Sequence, residues 1–144
     1  MSKQSDSLAV TLFSEILMVE QLARSNVAKA LPRAMELSHF SVLNHLARSQ
    51  DEKTPAQLAQ VFHLTRGAMS NTLAKLETAG YVHIRPDWDD ARRKLVTISP
   101  AGRSALDAAL AAIAPIVARA AESVGEEKVR AILPVMRELR IKLG

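Results

Sequence analysis

The sequence predicts a mainly α-helical chain that carries one small β-hairpin. Three observations predict it. Apolar residues recur at three- and four-residue steps over most of the 144 residues. Only between Val82 and Ile98 does a two-residue alternation replace that pattern. Proline and glycine stand at the joins between periodic stretches, at Pro32, Pro55, Gly80, Pro100 and Gly125.

Residues 1 to about 5 are polar and without pattern. Asp6 or Ser7 can cap a first helix that reaches about residue 31. Its stripe is Leu8, Leu12, Ile16, Val19, Ala23 and Val27, widened by Phe13, Leu17 and Leu22. At about 25 residues, or about 37 Å, it is long for so small a domain, so part of it is expected to bury against another chain. Pro32 breaks the pattern. Ser38 is then expected to cap a second helix to about Arg48, with Phe40, Val42, Leu43 and Leu46 as its apolar residues. After the polar connection 49–53, Thr54 opens a third helix. Pro55 takes its first position, where no N–H is needed. Gln57 completes a capping box with Thr54. Leu58, Ala59, Val61 and Phe62 face inward, and His63 and Leu64 form a tight turn.

Thr65 caps the next helix, about residues 65–79. Ala68, Met69, Thr72, Leu73 and Leu76 form its apolar stripe. Arg66, Gly67, Ser70, Asn71, Ala74, Lys75 and Thr78 form the other face, with no acid among them. Such a face suits the major groove of DNA. Short side chains permit close approach, amides and hydroxyls meet base edges, and cations meet phosphate. A solvated amphipathic helix has the same periodicity, so the helix alone does not decide. Gly80 is a good stop. Val82 and Ile84 alternate with His83 and Arg85, and Leu95, Val96 and Ile98 make a second strand-like run. Between them lies a charged loop, residues 86–94, too polar for a core. A hairpin with a basic tip attached to a helix-turn-helix is a wing.

Ser99-Pro100 repeats the cap-plus-proline start and launches an alanine-rich helix to about Ser123, with Leu106, Leu110, Ile113 and Val117 on its buried line. Pro115 should kink it. Glu126 to Leu143 forms a last helix, with acids first and bases last to suit the helix dipole, and Pro134 should bend it. A long internal bundle in a monomer would cover these faces, and so would a symmetric dimer.

The run LAKLETAGYVHIRPD, the pattern Asp87-x-x-Asp90-x-Arg92 and the segment VTISPAGRSAL resemble the MarR family of winged helix-turn-helix transcription regulators. The likeness covers essentially the whole chain. It implies a single domain, 1–144, in which 6–31 and 100–143 are dimerisation helices and 38–99 is a winged helix-turn-helix lobe. The recognition helix is about 65–79 and the wing about 82–98. The implied function is a homodimeric DNA-binding regulator, more often a repressor, reading a palindromic operator. Its two recognition helices would stand roughly 34 Å apart, one turn of B-DNA.

On this pattern Arg66, Ser70 and Asn71 are candidates for base edges, Thr65 and Lys75 for phosphate, and Gly67 for close approach. The resemblance makes Arg92 the arginine aimed at the minor groove, oriented by Asp90, with Asp87 as a second acid of the wing pattern. Arg93 and Lys94 add phosphate-level charge. Acids near phosphate lower affinity unless paired, so at least one of Asp87, Asp89 and Asp90 should bond to Arg85, Arg92 or Arg93. Many relatives carry proline where this chain has Trp88. The resemblance also implies a small effector, often an anionic aromatic compound, in a crevice with Ile16, Val19, Glu20, His39, Phe40 and Leu43 as wall candidates. Each of these can equally be a packing residue.

Composition narrows the alternatives. The net charge of +4 and pI of about 9.8 lean towards an anionic partner. One Trp, one Tyr and three Phe are too few for a single-strand binder that stacks bases. Cysteine is absent, which removes disulfides and thiol sensing. No uninterrupted 18-residue apolar run and no signal-type N-terminus occur, so a cytoplasmic protein that spans no membrane is expected. His39 and His45 are six apart, a poor chelating step, so no metal or cofactor is expected. No phosphate loop, nucleophile elbow or HExxH occurs, so no enzyme is expected. The remaining competitor is an interaction module whose winged face docks a protein.

Overall fold

The computed structural model describes residues 2–49 and 51–144. Its elements follow in the order α1 (Lys3–Ala30), α2 (Leu37–Arg48), α3 (Pro55–Val61), α4 (Arg66–Thr78), β1 (Val82–Pro86), β2 (Lys94–Ile98), α5 (Pro100–Val124) and α6 (Glu126–Leu143). The mainly helical fold with one antiparallel hairpin is as expected. The chain divides into two units, Leu31–Ala112 on one side and the flanking helical segments on the other.

In the unit Leu31–Ala112, one buried cluster joins every element. Val42, Leu43 and Leu46 come from α2, Leu58 and Ala59 from α3, and Met69, Leu73 and Leu76 from α4. Val82, Val96 and Leu106 complete it from β1, β2 and α5. Three expected core residues lie outside it: Val61, Ala68 and Leu110, the last 41% exposed on α5. Val61 is exposed because Leu58, Ala59 and Phe62 already fill the inward arc of a seven-residue helix. Ala68 is exposed because Met69, Thr72, Leu73 and Leu76 define the buried arc of α4.

Caps account for the helix boundaries. Thr54 and Gln57 form the expected reciprocal box, with bonds of 2.9 and 3.1 Å. Thr65 Oγ1 accepts the Ala68 N–H at 3.1 Å and starts α4. Ser38 is not a cap. Glu36 holds that place in extended backbone and donates its N–H to His39 Nδ1 at 3.3 Å, so α2 begins at Leu37. α1 begins at Lys3, ahead of Asp6, which sits in its first turn where the helix dipole favours an acid.

α3 and α4 end alike. His63 (φ 51°) and Gly80 (φ 79°) adopt the left-handed conformation that lets the next amide bond back into the helix. Leu64 N–H reaches the Ala59 carbonyl, and Tyr81 N–H reaches the Leu76 carbonyl, each at 2.9 Å. The hairpin pairs Val82 with Ile98 through to Pro86 with Lys94. Lys53 adds a bridge to the middle of β2, where the Val96 N–H donates to its carbonyl at 2.7 Å.

Ser99, 2% exposed, ties hairpin, α4 and α5 together. Its N–H donates to the Tyr81 carbonyl at 2.9 Å and its Oγ to the Gly80 carbonyl at 2.6 Å. The same Oγ accepts the Gly102 N–H at 2.9 Å, which is the N-cap of α5. Gly102 lies so close to the Tyr81 carbonyl oxygen that no Cβ fits there.

In the other unit, α1 and α6 hold no buried residue in the single chain. Leu8 (73%), Leu17 (67%), Ile141 (70%) and Leu143 (72%) are largely exposed. α5 and α6 continue through Pro115 and Pro134. One correction concerns α5. Among the described residues it is a helix long and apolar enough, by length and composition, to cross a membrane, with an 18-residue stretch of mean hydropathy 1.5. Asp107 and Arg119 interrupt the run, and alanine supplies much of its apolarity. Leu106 serves the core just described.

His45 in α2 packs edge-on against Phe62, ring centroids 5.6 Å apart. Its Nε2 is buried and has no hydrogen-bond partner among the described residues. Burial first, and the nearby Lys53 charge second, hold its pKa below the ordinary histidine value. The fold therefore favours the neutral ring. Its stabilisation is complete above the unfolded-chain pKa, about 6.5, and is lost as pH falls through the depressed folded value.

Two outcomes follow from this packing. Gly102→Ala should lower unfolding free energy by about 3 kcal/mol, measured by urea denaturation, because the methyl must displace the Tyr81 backbone; wild-type stability would show that the contact relaxes freely. Between pH 7.5 and 5.5 the thermal midpoint of the wild type should fall more than that of His45→Gln, and parallel curves would assign the pH response to other groups.

Candidate nucleic-acid interface

α4 turns Met69, Thr72, Leu73 and Leu76 into the core and leaves Arg66, Gly67, Ser70, Asn71, Ala74, Lys75 and Thr78 in solvent. The expected outer face is therefore open, and Glu77 joins it as an acid outside that set. A side chain at Gly67 would meet nothing within 4 Å, so the fold does not require glycine there. The Thr65 hydroxyl is committed to the helix cap.

The wing brings its cations beside this face. A cleft of about 390 Å³ is lined by Thr54, Pro55, Ala56, Arg66, Ser70, Arg92, Arg93 and Lys94. Four cations and no acid line it, so it favours an anion. Pro55 and Ala56 were not foreseen as part of this surface. They reach it because α3 packs against α4, a placement that no local pattern encodes. Asn71, Lys75 and Gly67 lie elsewhere on the exposed face of α4 and are not among the residues lining this cleft.

The wing tip is organised by its acids, as the pairing argument required. Asp90 Oδ1 accepts both the backbone N–H of Arg92 and its Nε–H, each at 3.1 Å. The Arg92 side-chain bond, then its backbone N–H, then the Arg93 charge hold the Asp90 carboxyl below the usual carboxylate range. Arg92 is nonetheless 91% exposed along its side chain. It is an oriented guanidinium with most of its donors free. Asp87 accepts the Asp89 N–H at 3.0 Å and lies 3.9 Å from Arg93 Nε. Asp89 makes no side-chain ion pair among the described residues.

Two further residues belong to this region. Arg85 donates to the Glu52 carboxylate and, at 3.0 Å, to the Pro86 carbonyl. Its guanidinium lies 5.7 Å from the centroid of the Trp88 ring. The Glu52 pairing spans 33 residues, so no sequence pattern announced it.

The expected crevice residues distribute unevenly. His39 lines a cavity of about 320 Å³ with Arg33, Met35, Lys75, Tyr81 and Ala105. Its Nε2 is buried without a hydrogen bond among the described residues. Leu43 is fully buried and Phe40 packs on the same core, so both serve the core in this structure. Ile16 is half-buried, Val19 is exposed, and Glu20 pairs with Arg24 at 2.7 Å. Among the described residues, no group of three or more His, Asp or Glu is placed to hold a metal ion.

Residues 34–93 match the sequence profile of the MarR family. An uncharacterized HTH-type transcriptional regulator, YdgG of Bacillus subtilis (strain 168), is 26% identical over 99% of this chain and 95% of its own length. In structure, the transcriptional regulator BldR from Sulfolobus solfataricus superposes with a TM-score of 0.81 at 23% identity, covering 99% of each chain. A mutant MarR from E. coli complexed with operator DNA gives 0.74 at 21% identity, over 91% of this chain and 94% of that one. At these identities the two structures speak for the fold.

Proposed function

We propose that this chain, whose helix-turn-helix and wing (34–93) belong to the MarR family, is a transcription regulator that reads duplex DNA by sequence as a homodimer. The observation that carries this function is the acid-free cationic cleft between α4 and the wing, next to an exposed arginine oriented by Asp90. α4 would enter the major groove, with Arg66, Ser70 and Asn71 at base edges and Thr65, Lys75, Arg93 and Lys94 at phosphates. Arg92 would reach the adjacent minor groove. The open space over Gly67 supports close approach of DNA there.

The uncovered apolar faces of α1 and α6 support a second copy of the chain as partner. Two-fold symmetry then calls for an inverted-repeat operator with half-sites one helical turn apart. Such a dimer acts as a repressor by occluding a promoter in the cytoplasm, and an effector relieves it by shifting the spacing of the recognition helices. The cavity at His39, with Arg33 and Lys75 beside apolar walls, suits an anionic aromatic effector. Ile16, Val19, Glu20, Phe40 and Leu43 would take part only where α1 or the core rearranges around it.

Selection of random duplex DNA by the purified protein should enrich a two-fold symmetric motif; no enrichment at low salt would sink the DNA-reading function. With the selected duplex, Arg92→Ala should weaken binding while the dimer stays intact in sedimentation, and unchanged affinity would remove the wing from the interface. Asn71→Ala should lose about 1–3 kcal/mol of discrimination at one base position. A uniform loss over all sequences would reassign Asn71 to phosphate.

A further inference from the structure

The wing's charged residues all find a place in the surface described above, but its aromatic residue does not. Trp88 is the only tryptophan of the chain, and 79% of its surface is exposed. An indole left in water forgoes the burial that makes tryptophan stabilising. Its neighbours nevertheless back one face of it. The Arg85 guanidinium faces the ring at 5.7 Å and is itself fixed by Glu52 and the Pro86 carbonyl. On the other side, Asp87 Oδ1 accepts the Asp89 N–H at 3.0 Å and closes the turn that contains Trp88. An exposed ring backed by a guanidinium thus sits on the same hairpin tip as the oriented Arg92.

We propose that Trp88 is a second DNA contact of the wing, its indole packing on the deoxyribose rings beside the groove that Arg92 enters. This role rests on the DNA-binding function proposed above. Sugar is the fitting surface for two reasons. The indole has one N–H donor and a large apolar face, which matches a C–H surface better than an anionic oxygen. Asp87 and Asp89 flank it directly in sequence and disfavour close approach of a phosphate. The contact therefore adds affinity that salt does not screen, on a wing whose arginine contributes the salt-sensitive part.

The wild-type protein is its own probe, since its tryptophan emission arises from this one residue. Binding of a random-sequence duplex at low salt is followed by the anisotropy of a labelled copy. In parallel, tryptophan emission and its quenching by acrylamide are followed with unlabelled duplex. Emission should change, and acrylamide access should fall, in step with binding. Trp88→Ala, folded by circular dichroism, should bind about ten-fold more weakly with the slope of log affinity against log salt unchanged, and Trp88→Phe should recover part of the loss. Full binding by anisotropy with undiminished acrylamide access overturns the role of Trp88 and leaves DNA binding standing. A slope reduced by about one in Trp88→Ala also overturns it, since that marks a lost phosphate contact. No anisotropy change overturns the DNA-binding function and this role with it.

Discussion

The junction of α4, the hairpin and α5 is built around one buried hydroxyl. Ser99 Oγ sits between the Gly80 carbonyl just past α4 and the Gly102 amide in the first turn of α5. Its backbone N–H is bonded to the carbonyl of Tyr81, the residue that leads into the wing. A polar group buried at this junction without partners would carry a large desolvation cost. Here donor and acceptor capacity are both used, so three elements share one rigid joint. Gly102 is the corollary, because only a residue without Cβ can let the α5 backbone approach the Tyr81 carbonyl so closely. The angle between α4 and the wing is thus set from beneath, by backbone and one serine. The exposed faces remain free to carry the chemistry.

Those faces show how acids can belong to a cationic surface. Asp90 spends its lone pairs on the backbone and side chain of Arg92, and Asp87 on the turn and Arg93. The carboxylates act as struts and convert flexible arginines into directed ones. A long side chain already held in one rotamer loses less conformational entropy when it meets its target. Glu52 does the same for Arg85 from outside the hairpin. A count of net charge alone would have scored all three acids against the interface.

Much of this was legible in the sequence, for identifiable reasons. Caps are local, so Thr54–Gln57, Thr65 and Ser99-Pro100 could be read directly, and the bonds they predict are present. The Asp90–Arg92 pair is local too. The start of α2 was misplaced because Glu36 and His39 do the work ordinarily given to serine or threonine, which made Ser38 the obvious but wrong choice. Val61 and Ala68 were misjudged because periodicity gives the width of an apolar arc poorly in short or alanine-containing helices. The Arg85–Glu52–Trp88 cluster could not be foreseen, since its partners meet only after the fold has closed.

The bridge between Lys53 and Val96 has a kinetic side. It closes a loop that holds all of α3, α4 and β1, and the entropy of that closure must be met before the bridge gives anything back. α3 and α4 pack chiefly on each other and on β1 inside the loop, and they also reach α2 and β2 outside it. The bridge seals Val96 into the core that the hairpin shares with α2, α3 and α4. Amide exchange at Val96 would consequently report the opening of this core as a whole.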